Sequence, residues 1–112
     1  MNEFIGRKGS TTNEQEYLKT GTQVVEKSID FDVVDGDGVN SILMNTGSTT
    51  KTTKLPVLAS SIGRELSFCK SGTGNYVVDG DGATINGSST TTITVNTSGL
   101  TIKAFASEWR II

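Results

Sequence analysis

Two stretches of this chain carry residues whose types and spacing suggest chemistry: Val33-Val34-Asp35-Gly36-Asp37-Gly38 and its second copy, Val77-Val78-Asp79-Gly80-Asp81-Gly82. Alternating aspartates deliver hard oxygen ligands, so the first chemistry to test is calcium binding. An EF-hand loop needs oxygen ligands at positions 1, 3, 5 and 12 with glycine at 6. Setting Asp35, Asp37 and Gly38 at positions 3, 5 and 6 places Val33 at 1 and Met44 at 12, and the second copy places Val77 and Ser88 there. Both copies lack the first and last ligands. Hairpin turns explain them better, since glycine supplies positive φ and aspartate tolerates turn geometry; an irregular cation site on Asp35/Asp37 or Asp79/Asp81, completed by backbone carbonyls, is the remaining alternative.

Other catalytic constellations find little support. The chain has no histidine, so a triad lacks its usual base and zinc its usual ligand sets. The lone Cys69 excludes an internal disulfide and is expected to be a small packing residue. Gly72-Thr73-Gly74 lacks the lysine and following helix of a phosphate-binding loop. Paired acids of the glycosidase kind need two carboxylates facing one cleft, which turn aspartates rarely provide. Trp109 reads as a core plug before a sugar-stacking platform. No catalytic, cofactor or metal residue is therefore expected, and the chain is read as a non-enzyme.

The elements around these stretches are β in character. Gly, Ser and Thr dominate, with runs such as Ser88-Ser89-Thr90-Thr91-Thr92, while 34% of residues are apolar. That composition disfavours helices and suits strands and turns. Over Gln23–Val34 the alternation of Ile29, Phe31 and Val33 predicts one strand with Asp30 and Asp32 outward. Further strands are predicted at Ser41–Met44, Arg64–Lys70 with Leu66 and Phe68 inward, Asn75–Val78, Thr90–Asn96, Leu100–Phe105 and Trp109–Ile112. Leu55-Pro56 is expected to close a strand and turn a corner, because proline has no ladder donor. Turn signals about every ten residues point to an all-β fold, a small antiparallel β-sandwich or barrel over residues 23–112.

Residues 1–22 read as an extended N-terminal arm, too polar to offset their own ordering entropy. Thr12–Lys19 could form a helical turn or two, with Thr12 as N-cap, Gln15 at the capping-box position and an end at Gly21. The arm is expected to dock on a partner through Phe4, Ile5, Arg7, Tyr17 and Leu18. A net charge of −2 without a basic cluster argues against nucleic acid. No apolar run approaches the ~18 residues of a membrane span, and the first residues lack a signal peptide's apolar stretch, so a soluble, cytoplasmically made protein is expected.

Read as one unit, residues 54–112 resemble a β-module that recurs in phage virion proteins, in tail fibres, head fibres and capsid decoration proteins. The pattern runs from Leu55-Pro56 through Gly63-Arg64 to the strand Leu66–Lys70. Val77-Val78-Asp79-Gly80 and Thr84-Ile85-Asn86-Gly87 follow, then a Thr-rich strand, an alternating strand and the closing Trp109-Arg110-Ile111. Where the family pattern usually has an Asp-Gly-x-Asn-Trp turn, this chain has Ala106-Ser107-Glu108-Trp109. The resemblance implies a structural or adhesive role on a virion: a capsid decoration or cement protein docking on the major capsid protein through its arm, or a tail fibre or receptor-binding component contacting host glycans. It also implies a homo-oligomer, expected to be a trimer.

Overall fold

Short corners carry this chain repeatedly from one sheet to a second, and longer crossovers bring it back. The computed structural model describes residues 23–112; the helical turn expected over Thr12–Lys19 and the docking residues Phe4, Ile5, Arg7, Tyr17 and Leu18 lie outside the described residues. The strands are β1 (Gln23–Lys27), β2 (Phe31–Asp32), β3 (Val39–Gly47), β4 (Lys51–Lys54), β5 (Glu65–Gly72), β6 (Tyr76–Asp79), β7 (Thr90–Ile93), β8 (Gly99–Ala104) and β9 (Trp109–Ile111), with a single 3₁₀ turn at Leu58–Ser60. They form a five-stranded sheet in the order β1-β3-β5-β8-β9 and a four-stranded sheet in the order β2-β4-β6-β7.

The first six strands build three parallel rungs. β1, β3 and β5 pair parallel in one sheet, and β2, β4 and β6 pair parallel in the other. Three-residue corners at 28–30, 48–50 and 73–75 carry the chain from the first sheet to the second, and the crossovers 33–38 and 55–64 bring it back. The last three strands pair antiparallel, β7 on β6, β8 on β5 and β9 on β8. The fold is thus all-β in two mixed sheets, and the purely antiparallel arrangement expected from the sequence is corrected. Period-2 alternation and turn residues are common to both strand senses, so neither reveals whether the chain returns beside the strand it left or crosses to another sheet.

Two further differences have the same origin. The single strand expected over Gln23–Val34 is bent at Ser28-Ile29, leaving Ile29 69% exposed although it falls in phase with Phe31 and Val33. Asp30 holds that corner by accepting the Thr52 N–H at 2.9 Å. The polar stretch after Asn45, to which the sequence assigned no strand, contains the end of β3 and all of β4. There Thr46 is buried and its hydroxyl is shared between the carbonyls of Ser71 and Gly74, at 3.1 and 3.0 Å.

The core lies between the sheets. Ile42, Met44, Leu66, Phe68, Ile102 and Ala104 project from the first, and Tyr76, Val78 and Ile93 from the second. Phe68 and Tyr76 join the two layers edge to face, ring centroids 6.1 Å apart. Inside this core the Thr53 and Tyr76 hydroxyls bond to each other at 2.7 Å. Burial pushes the Tyr76 phenol up to about 12, the Thr53 hydrogen bond opposing only part of that rise. Leu66 and Phe68 face inward as expected, and so does Lys70, whose buried stem lets Nζ donate to the Gly72 carbonyl at 2.5 Å. Trp109 is fully buried, as the core-plug reading anticipated, and so presents no stacking face to a ligand.

Candidate docking surface

The alternating carboxylates of the two aspartate repeats suggest cation binding, but the repeats occupy different places in the rungs. Phe31, Thr53 and Val78 lie side by side across β2, β4 and β6, as do Asp32, Lys54 and Asp79. Asp32, and not Asp35, is therefore level with Asp79, so the two copies of Val-Val-Asp-Gly-Asp-Gly sit three residues out of step. Val33 is buried and Val34 exposed in the first copy, whereas the second valine, Val78, is the buried one in the second. The first copy is a crossover between sheets and the second begins the hairpin from β6 to β7.

One carboxylate of each copy, Asp37 in the first and Asp79 in the second, accepts backbone N–H groups. Asp37 accepts the N–H groups of Val34 and Val39 at 2.9 and 3.0 Å. Arg64 adds a 2.6 Å bond to the same carboxylate and reaches the Val34 and Val39 carbonyls, so one guanidinium pins the crossover 33–38 to the start of β5. Partial burial works against the Asp37 charge, but these three donors outweigh it and hold the carboxyl below its ordinary range. Asp35 accepts the Ser60 hydroxyl at 2.6 Å, and Asp79 accepts the Asp81 N–H at 2.8 Å in a turn where Asp81 takes a φ of 52°. Among the described residues no three of His, Cys, Asp or Glu gather in a set that could hold a metal ion. Beside the clip lies an open groove of about 450 Å³ lined by Asp35, Ser60, Ile62, Arg64 and Glu65.

The two edges of the five-stranded sheet differ. At one, the loop 84–88 closes over β9: the Trp109 backbone N–H donates to the Thr84 carbonyl at 2.9 Å, the Asn86 backbone N–H to the Trp109 carbonyl at 3.0 Å, and the Ile111 backbone N–H to the Asn86 side-chain oxygen at 3.0 Å; β7, the last strand of the other sheet, has no strand on its outer side among the described residues. Glu108 ties that loop down by accepting from Arg110, Thr84 and Gly87, which keeps its carboxyl below the usual range. A sheet edge closed this way offers no ladder to another chain.

The first rung has no such cover among the described residues. β1 and β2 are the edge strands of their sheets, and both lie at the same end of the stack. Val25 and Phe31 are only partly buried against the core there, and Val24 and Ile29 are 65% and 69% exposed. Lys27 lies over the Phe31 ring, its ammonium 4.7 Å from the centroid, covering apolar surface without sealing it. This surface can add strands and bury apolar side chains, which is the chemistry of docking. In the sequence Ile29 and Phe31 share one apolar face with Val33, and only the bend at Ser28-Ile29 turns Ile29 out to solvent.

Cys69 is exposed on the outer face of β5, which corrects the expectation that it packs. No helix among the described residues is long and apolar enough to cross a membrane. No family model and no curated protein matches the chain.

Proposed function

We propose that this chain is a structural accessory protein of a phage virion, a capsid decoration or cement protein that docks through its N-terminal end and associates with further copies of itself, as a trimer. The observation that carries the reading is the contrast between the edges of the five-stranded sheet: the loop 84–88 covers β9, whereas β1, followed by β2 at the edge of the second sheet, is uncovered among the described residues and exposes Val24 and Ile29 beside the partly buried Phe31, where residues 1–22 join the domain. Exposed edges of this kind are normally protected or used for pairing. The order of Leu55-Pro56, Gly63-Arg64, Val77-Val78-Asp79-Gly80 and Trp109-Arg110-Ile111, which resembles the virion β-module, supplies the setting. The major capsid protein is the proposed partner, with Phe4, Ile5, Arg7, Tyr17 and Leu18 as the docking residues.

No catalytic step, cofactor, nucleic acid or membrane enters this reading. Its test is the composition of purified particles. Hundreds of copies per particle place the protein on the shell, whereas a few dozen or fewer place it on the tail and replace the decoration reading with a fibre or receptor-binding one. Removing residues 1–20 is expected to abolish binding to particles that lack the protein; unchanged binding overturns docking through the N-terminal end. Light scattering on the purified protein is expected to give a trimer mass, and a monomer mass at micromolar concentration counts against self-association.

A further inference from the structure

The outer row of the four-stranded sheet, Asp32, Lys54 and Asp79, alternates in charge across three parallel strands, while the inner row beside it is Phe31, Thr53 and Val78. A strand added outside β2 in the same sense would set one side chain beside Phe31 and the next beside Asp32. The first is best apolar, because Phe31 is only partly covered, and the second basic, because opposite charges on neighbouring strands attract. An apolar residue followed directly by Lys or Arg occurs at Leu18-Lys19, Cys69-Lys70, Ile102-Lys103 and Trp109-Arg110. The last three belong to β5, β8 and β9, which are already paired. Only Leu18-Lys19 lies outside the described residues.

We infer that the open edge of β2 is a docking site for residues 17–19 of a second copy of this chain, with Leu18 against Phe31 and Lys19 extending the row Asp32-Lys54-Asp79. A second copy is favoured over the same one by reach. Within one chain only residues 20–22 would link this strand to Gln23; corners of that length carry the chain from the five-stranded to the four-stranded sheet, but the passages in the direction needed here, from the four-stranded sheet back, use residues 33–38 and 55–64. Each copy then gives one segment and receives one, a head-to-tail contact that closes into a ring when the rotation allows. The inference rests on the self-association part of the proposed function, adds the contact that produces it, and assigns Leu18 to that contact and not to the capsid protein.

Disulfide trapping in the full-length chain tests it. In a Cys69→Ser background, Lys19→Cys and Asp32→Cys variants are mixed in equal amounts and mildly oxidised. Neighbouring strands hold Cα atoms about 4.8 Å apart, within disulfide reach. The expected result is a link between one Lys19→Cys chain and one Asp32→Cys chain, several-fold above a Lys8→Cys/Asp32→Cys control mixture. No link above the control overturns the proposal, and so does a Lys19→Cys/Asp32→Cys double variant that links only within one chain. As a charge test, Asp32→Lys is expected to weaken self-association about tenfold and added Lys19→Asp to restore it, with Trp109 fluorescence confirming that each variant is folded. An oligomer that forms without the link sinks this contact and leaves the self-association reading standing, whereas a monomer at every concentration sinks both.

Discussion

Tyr76 and Thr53 form the one hydroxyl pair described within the core, and the pair gives the fold an alkaline limit. The Tyr76 phenol is pushed up to about 12 by burial, from the 10.0 of an exposed tyrosine. Its neutral form therefore stabilises the folded state fully below pH 10, and this contribution is lost as pH rises from 10 through about 12, on the order of 2–3 kcal/mol. Chemical denaturation across that window is expected to show the loss in the native protein and a flatter profile in Tyr76→Phe. Asp37 acts at the other end of the scale. Its carboxyl lies below the ordinary 3.8, so the stability it contributes is present above that value and disappears as pH falls through the lowered one. Asp37→Asn is expected to cost about 1–3 kcal/mol near neutrality, because it weakens two backbone bonds and the Arg64 ion pair, and to remove part of the acid dependence.

At the scale of elements, the corners decide the stacking. The corner 73–75 lies directly on 48–50, and a Cβ at Gly74 would come within 1.8 Å of the Thr49 carbonyl oxygen. Gly74→Ala must push the two corners apart, disturbing the bond between the buried Thr46 hydroxyl and the Gly74 carbonyl. A melting temperature lowered by several degrees is expected, in line with the ~4–8 °C per kcal/mol of small domains; an unchanged one would show that the corners yield freely. Gly72 faces the same crowding, with a φ of 106° and the Gly47 backbone within 2.7 Å of an added Cβ. These glycines look like simple turn punctuation in the sequence. Their second role, allowing one rung to approach the next, exists only because the rungs are parallel.

For the whole molecule, both sheets contribute to one core, and Trp109 is fully buried in it on β9. Sheets that share a core unfold together. Fluorescence of this lone tryptophan and far-ultraviolet circular dichroism are therefore expected to give coincident denaturation curves; separate midpoints would mean that the parallel rungs and the antiparallel end are independent units. The open rung has the opposite character, with partly covered Val25 and Phe31 and the exposed Val24 and Ile29.

Composition and alternation alone were enough to establish a β domain, the inward face of Leu66 and Phe68, the corner at Leu55-Pro56 and the burial of Trp109. They also excluded an EF-hand, since Val33, Met44, Val77 and Ser88 occupy the ligand positions. These properties depend on side-chain type and local periodicity, which a linear chain displays. Tertiary structure decided what depends on where each strand goes after its corner: parallel rungs in place of hairpins, Ile29 in solvent, and the two Val-Val-Asp-Gly-Asp-Gly copies three residues out of step. One trace of the rungs was present in the sequence, as Phe31-Asp32, Thr53-Lys54 and Val78-Asp79 repeat an inward residue followed by a charge. Their unequal spacing, set by crossovers of different length, hid the period. The open edge of β1 and β2 has no sequence signature at all, because an edge is defined by the neighbour a strand lacks.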